Sequence, residues 1–303
     1  MKKVAISIGD LNGIGLQIAL ESHDEVKKIC KPVYCISHKL LDQGAKLLDI
    51  KVPKDFKVTG LKGGFEIKPG SVSKKAGAYS YKSFLEAISM ATKKSVDAIV
   101  TMPINKESWS KAGVNYVGHT DMLRDIFKKD AIMMLGCEEM FVALYTEHIP
   151  LKKVASEIKI KKLQSFLEDF YTCLDKPDEK IAVLGLNPHA GDNGVLGDEE
   201  FKIQKAIQKV NKKIGKNIFS GPLVPDIVFT PNVRQNYKYF VAMYHDQGLA
   251  PLKALYFEEG INVSLNLPIK RASVDHGTAF DKAYKKHKLS NKSYINAIKR
   301  SIV

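Results

Sequence analysis

The chain has 303 residues, 45% of them hydrophobic, and a formal net charge of +14. This is enough apolar material for one large domain or two moderate ones, and no stretch approaches the roughly 18 consecutive apolar residues of a membrane helix. The positive charge invites a nucleic-acid partner, but the lysines are scattered over helix-like segments with no basic tail, zinc finger or aromatic RNA motif, so nucleic acid and membrane are both excluded as expected partners.

Apolar runs and helical periodicities alternate along the chain. "KVAISIG" (3–9) reads as a strand and is followed by a glycine-punctuated turn and a helix from Ile14 to Glu21. "PVYCIS" (32–37) is a second strand, followed by a helix around 39–48, a long helix from about Gly77 to Lys94, and the strand "DAIVTMP" (97–103). "MFVALYTE" (140–147) continues the pattern, and Ile160, Leu163, Phe166, Leu167, Phe170, Tyr171 and Leu174 mark one face of a helix. "IAVLGLN" (181–187), "DIVF" (226–229) and "YFVAMYH" (239–245) read as further strands, and 290–302 as a closing helix capped by Ser290 or Asn291. The alternation predicts an α/β fold with a parallel sheet covered on both faces. No repeat or low-complexity linker marks a domain boundary.

The first residues enter a strand directly, without the apolar segment and cleavage site of a signal peptide, which points to a cytoplasmic protein. Four scattered cysteines form no C-x-x-C pair and are expected to be reduced.

In open α/β sheets ligands bind beyond the carboxyl ends of strands. His148, His189 and His245 each follow an apolar strand, in "YTEHIP", "LNPHAG" and "MYHDQG". Three neutral imidazoles with an open fourth position suit a catalytic zinc or another divalent ion, with Asp226 and Asp246 available to orient them. Another strand exit carries Pro103, Asn105 and Lys106, while His119, Thr120 and Asp121 stand at a helix start where Thr120 or Asp121 would serve equally as a simple cap. Lys253, Asn262 and Arg271 would hold an anionic substrate if the fold converges them. "GDLNGIG" (9–15) is neither G-x-G-x-x-G nor a Walker motif, so a Rossmann fold is not supported, and shaping the turn is role enough for its glycines.

"GDLNGIG", "TMPINK", "GHTDML", "LNPHAG", "YHDQGL" and "LPIKRASVDHGTA" occur in the order found in the 4-hydroxythreonine-4-phosphate dehydrogenase family of pyridoxal phosphate biosynthesis. The resemblance runs from residue 6 to about residue 283. It implies a two-domain α/β/α fold similar to the isocitrate and isopropylmalate dehydrogenases, with 1–115 plus 265–303 forming a discontinuous first domain and 116–264 the second. It further implies a homodimer with shared active sites, and one divalent ion (zinc, magnesium or cobalt) per site held by His148, His189 and His245. On the same basis His119, Thr120, Lys253, Asn262 and Arg271 resemble substrate contacts, and His276, Gly277 and Asp281 resemble contacts to NAD or NADP. Leu11 stands where the family usually has proline, and Asn266 where it commonly has glycine.

The reaction so implied oxidises 4-phosphohydroxy-L-threonine to a 3-oxo acid that decarboxylates to 3-amino-2-oxopropyl phosphate, with Asp246, a metal-bound hydroxide and Lys106 as candidates for the general base. A dehydrogenase of phosphorylated sugar acids, or a metal-dependent phosphohydrolase or aldolase, would use the same residue types.

Overall fold

The computed structural model describes residues 1–285 and 287–303. The described residues form ten strands: β1 (Lys3–Ser7), β2 (Lys31–Cys35), β3 (Ala98–Thr101), β4 (Ile132–Cys137), β5 (Met140–Leu144), β6 (Ile181–Leu184), β7 (Phe219–Leu223), β8 (Tyr239–Ala242), β9 (Ile261–Leu265) and β10 (Arg271–Val274). They are divided between two units, one of residues 1–130 with 261–303 and one of residues 131–260.

In the first unit the strand order is β2-β1-β3-β10-β9. The first four are parallel, and β9 runs antiparallel to β10. Val4, Ala5 and Ile6 of β1 are all fully buried, as a strand covered on both faces requires. Helix Lys74–Thr92 packs on β1, β2 and β3, and helix Lys292–Ser301 on β3, β9 and β10. The former buries Ala76, Tyr79, Ser80, Ser83, Phe84, Ala87, Ile88 and Ala91, the three-and-four spacing of one helical face, and Ser73 caps it by accepting from the Ala76 amide. Phe84 joins Trp109, Met122 and Leu123 in the core.

In the second unit the order is β4-β5-β8-β6-β7. A tight antiparallel hairpin joins β4 to β5, and β5, β8, β6 and β7 are parallel. Helix His245–Tyr256 lies against β4, β5 and β8, burying Leu249 and Leu252 against Val142 and Phe240.

The α/β class expected from the alternation is what forms, but the sheet segments are mixed rather than purely parallel. Two antiparallel pairs, β4/β5 and β9/β10, interrupt the rhythm. The expected strand at 226–229 is instead the short helix Pro225–Val228, and the neighbouring strand is Phe219–Leu223. Pro225 occupies the first helical turn, where its fixed φ and missing N–H suit a helix start. Asn291 is the N-cap residue of the closing helix, but its side-chain amide donates to Ser22 and Glu25 rather than capping. The unit boundaries fall at 130/131 and 260/261. Helix His119–Phe127 therefore lies in the first unit, because Met122 and Leu123 pack with Phe84 and Trp109.

Candidate active site

Arg271 opens β10 directly opposite Ser264 of β9 and is only 3% exposed. Its Nε and Nη2 both donate to Thr101 Oγ1, at 3.2 and 2.8 Å, and Nη1 donates to Ser264 Oγ at 2.9 Å. Among the described residues these partners are hydroxyls and none is a carboxylate, so the guanidinium charge is buried without a counter-charge. Burial pushes its pKa down to about 9.

Ser264 Oγ also lies 3.3 Å from Thr120 Oγ1. Thr120 follows His119 in the first turn of helix His119–Phe127, whose N-cap is Gly118. Neither Thr120 nor Asp121 caps this helix: Asp121 accepts from the Val117 amide, which precedes it. The His119 ring meets Phe84 and Trp109 edge-on, with centroids 4.5 and 5.5 Å away. Burial, and then the Arg271 charge, hold this imidazole well below the ordinary histidine range, and its buried Nε2 has no partner. Asn262 lies two residues before Ser264 on β9 and hence on the same strand face, with a buried Oδ1 that also lacks a partner. Thus a buried cation, a neutral imidazole and a hydroxyl are joined, and the neighbouring strand adds an amide oxygen without a partner. Such a set suits a phosphorylated or carboxylated ligand.

The carboxyl ends of β1, β3 and β10 are neighbours in the same sheet segment. Gly9, with φ +72°, follows β1, and a Cβ there would lie 2.2 Å from the Pro103 carbonyl beyond β3. The Asp10 amide donates to that same carbonyl at 2.8 Å. Ile14 donates to the Thr278 carbonyl at 3.1 Å and Tyr284 to the Leu11 carbonyl at 2.8 Å, tying "GDLNGIG" to the loop after β10. In that loop His276 has a buried Nε2 without a partner, and a Cβ on Gly277 would meet nothing within 4 Å. Burial holds the His276 pKa below its ordinary value, partly countered by the Gly277 carbonyl. Asp281 is exposed. The open space at Gly277 and the unpartnered His276 Nε2 leave room and one polar atom for a ligand at this loop. Lys106 is the exposed first residue of helix Lys106–Lys111, and Asn105 is the cap of that helix, its Oδ1 accepting from Ser108 at 2.7 Å.

In the second unit the His148 and His245 rings have centroids 5.5 Å apart. His148 is exposed in the turn after β5, and His245 is the first residue of helix His245–Tyr256. His245 Nδ1 bonds to Asp246 Oδ1 at 2.7 Å, which leaves Nε2 as the ring nitrogen available to a metal. His189 is exposed and does not complete a trio: among the described residues no group of three His, Cys, Asp or Glu side chains is close enough to hold a metal. Two imidazoles, one with a carboxylate behind it, are donors that suit zinc or a similar ion. Lys253 is on the same helix as His245, its ammonium 5.8 Å from the Phe257 ring centroid. Asp226 sits in the first turn of helix Pro225–Val228, which packs on the His189 segment.

Sequence reasoning did not single out Thr101, Ser264 or Glu200. Glu200 is 7% exposed, accepts from the Leu186 and Asn187 amides at 2.8 and 2.7 Å, and anchors the loop that carries His189.

Residues 28–301 match the model of the family described as pyridoxal phosphate biosynthetic protein PdxA. A 4-hydroxythreonine-4-phosphate dehydrogenase of Sulfurimonas denitrificans is 61% identical over 300 residues, covering 99% of this chain and 97% of that one. Its counterpart from Campylobacter fetus is 57% identical over 303 residues, covering 100% and 98%. The crystal structure of the Klebsiella pneumoniae 4-hydroxythreonine-4-phosphate dehydrogenase superposes with a TM-score of 0.84 at 31% identity, covering 100% of this chain and 99% of that chain. A terephthalate 1,2-cis-dihydrodiol dehydrogenase of Burkholderia xenovorans shares the fold, with a TM-score of 0.66 at 23% identity over 93% and 92% of the two chains.

Proposed function

The chain belongs to the PdxA family of pyridoxal phosphate biosynthetic proteins, and from that premise we propose how it works as a 4-hydroxythreonine-4-phosphate dehydrogenase. The substrate alcohol is oxidised to a ketone with NAD or NADP as acceptor. The carbon–carbon bond to the carboxylate then breaks, carbon dioxide leaves, a proton returns to carbon, and 3-amino-2-oxopropyl phosphate remains.

The observation that carries this reading is Arg271, a buried guanidinium held only by hydroxyls and joined through Ser264 to Thr120. A permanent charge in that setting binds an anion more strongly than it would in water, because little solvent screens it. Neutral His119 and Asn262 then supply directional hydrogen bonds to the substrate. His148, His189 and His245 are the residues that would hold a divalent ion, with Asp246 orienting His245. His276, Gly277 and Asp281 would hold the dinucleotide. A divalent ion held there would supply Lewis-acid polarisation of an alcohol oxygen, and a bound nicotinamide would supply hydride acceptance. Lys106, exposed beyond β3, is assigned to carry the proton that the alcohol loses and that carbon later regains. Asp246 is the alternative base, but its bond to His245 favours the orienting role.

Two histidines per chain gather where three are needed, which supports a dimer in which ligands are shared. Ile149, Leu151, Val195, Leu196 and Phe257, all in the unit that carries these histidines, are exposed apolar residues of the kind a second copy would cover.

His245→Ala tests the reading. Bound metal measured by atomic emission and turnover should both collapse while the circular dichroism spectrum stays as in the wild type. Near-normal turnover of this variant in chelating buffer would remove the metal from the account.

A further inference from the structure

The bonds around Arg271 do more than bury it. A guanidinium carries five N–H groups. Three of its N–H groups are directed to two hydroxyls, Thr101 Oγ1 and Ser264 Oγ, which leaves one N–H on each terminal nitrogen. Two such groups are what a carboxylate or phosphate accepts side by side. Because both holders are neutral, they fix the fork without cancelling its charge.

Ser264 has a second neighbour. With its oxygen accepting from Arg271, its own proton is available to Thr120 Oγ1 at 3.3 Å. Whichever hydroxyl donates in that contact, Ser264 holds the Thr120 side chain beside the guanidinium it also binds.

We infer that Thr101 and Ser264 are positioning residues for substrate binding: they orient Arg271 as a two-pronged grip that keeps its charge, and Ser264 also holds the Thr120 hydroxyl beside that grip. This rests on the assignment of Arg271 and Thr120 to the substrate. Both holders lie within strands, Thr101 at the end of β3 and Ser264 in β9, and are buried at 0% and 3% exposure, their side chains engaged with Arg271.

The test is calorimetric binding of 4-hydroxythreonine 4-phosphate to the metal-loaded wild-type protein and to Ser264→Ala, Thr101→Val, Thr101→Ser and Arg271→Gln, with KM and kcat measured in parallel. Ser264→Ala and Thr101→Val are each expected to weaken binding about tenfold, the usual effect of losing a hydrogen bond to a charged group. KM should rise while kcat changes little, and Thr101→Ser, which restores the hydroxyl, should recover wild-type affinity. Valine keeps the shape and strand preference of threonine, so Thr101→Val remains informative if Ser264→Ala fails to fold. Loss of binding in Arg271→Gln with wild-type affinity in both hydroxyl variants would overturn the inference and leave the role of Arg271 standing. Wild-type affinity in Arg271→Gln would overturn both.

Discussion

Loss of solvent around a side chain only 1% exposed raises the Asp10 carboxyl from 3.8 to about 6, although the Asn12 amide and Ser108 pull the other way. Its Oδ2 has no partner. A folded-state pKa above the unfolded one contributes stability that is complete below 3.8 and is lost as pH rises through about 6. Two pH units correspond to about 3 kcal/mol. Buried His119 and half-buried His276 act with the opposite sign, since their lowered pKa values cost stability as pH falls below 6.5. Asp10→Asn isolates the carboxyl: urea unfolding between pH 4 and 8 should show the variant gaining on the wild type as pH rises, by about that amount. Parallel profiles would mean that Asp10 is solvated. The three strand-end histidines and Arg271 stand out in the sequence because charged or imidazole groups after apolar runs are conspicuous. Asp10, Thr101 and Ser264 do not, because an aspartate after a glycine reads as an open turn and a hydroxyl in an apolar strand reads as an ordinary strand former. Asn266 is a case where a departure from the family pattern explains itself: with φ +59° it occupies a backbone conformation that asparagine tolerates better than most residues, and its amide bonds to the Asp130 carbonyl at 3.0 Å.

The helix that begins at His245 meets its sheet through Gly248. A Cβ there would lie 2.5 Å from Val142 Cγ1 and 2.9 Å from Ala242 Cβ. Gly248→Ala therefore has to lift the helix from β5 and β8, and should cost about 1–3 kcal/mol as overpacked cores do. It should also weaken zinc binding, because His245 moves with the helix; unchanged affinity in competition with a chromophoric chelator would separate the helix from the metal. The His189 loop calls for a different support. Residues 189–193 all have positive φ, an unfavourable run for residues other than glycine. Buried Glu200 and its bonds to Leu186, Asn187 and the Asn187 amide group hold the loop's entry. Glu200→Gln places a donor where amides already point, and zinc affinity is expected to fall by about tenfold, as for other residues that orient a ligand; wild-type affinity would show that the loop holds itself. Elements built from long periodic runs, such as Lys74–Thr92 and Ile160–Cys173, were legible in sequence. The hairpin strand Ile132–Cys137 and the helix at 225–228 were not, because short apolar runs fit either state until a proline or a partner strand decides.

Across the whole chain, residues 1–130 with 261–303 carry the proposed anion grip and the candidate cofactor loop, and residues 131–260 carry the three candidate metal-binding histidines. The alternation of strands and helices gave the class, whereas the return of the chain after residue 260 to the first unit leaves no mark in composition. Among the described residues no helix is long and apolar enough to cross a membrane. If a second copy completes the metal site, sedimentation should give twice the 33.7 kDa chain mass, and dilution to the monomer should release metal. A monomer that retains one tightly bound ion would instead place all its ligands in one chain. The most direct measurement follows formation of reduced cofactor from 4-hydroxythreonine 4-phosphate with NAD or NADP, before metal is stripped by chelation, after stripping, and after restoring zinc, magnesium or cobalt. The account predicts turnover that vanishes with the metal and returns with it. Reduced cofactor formed only from a phosphorylated threonate, or undiminished turnover in the stripped protein, would contradict it.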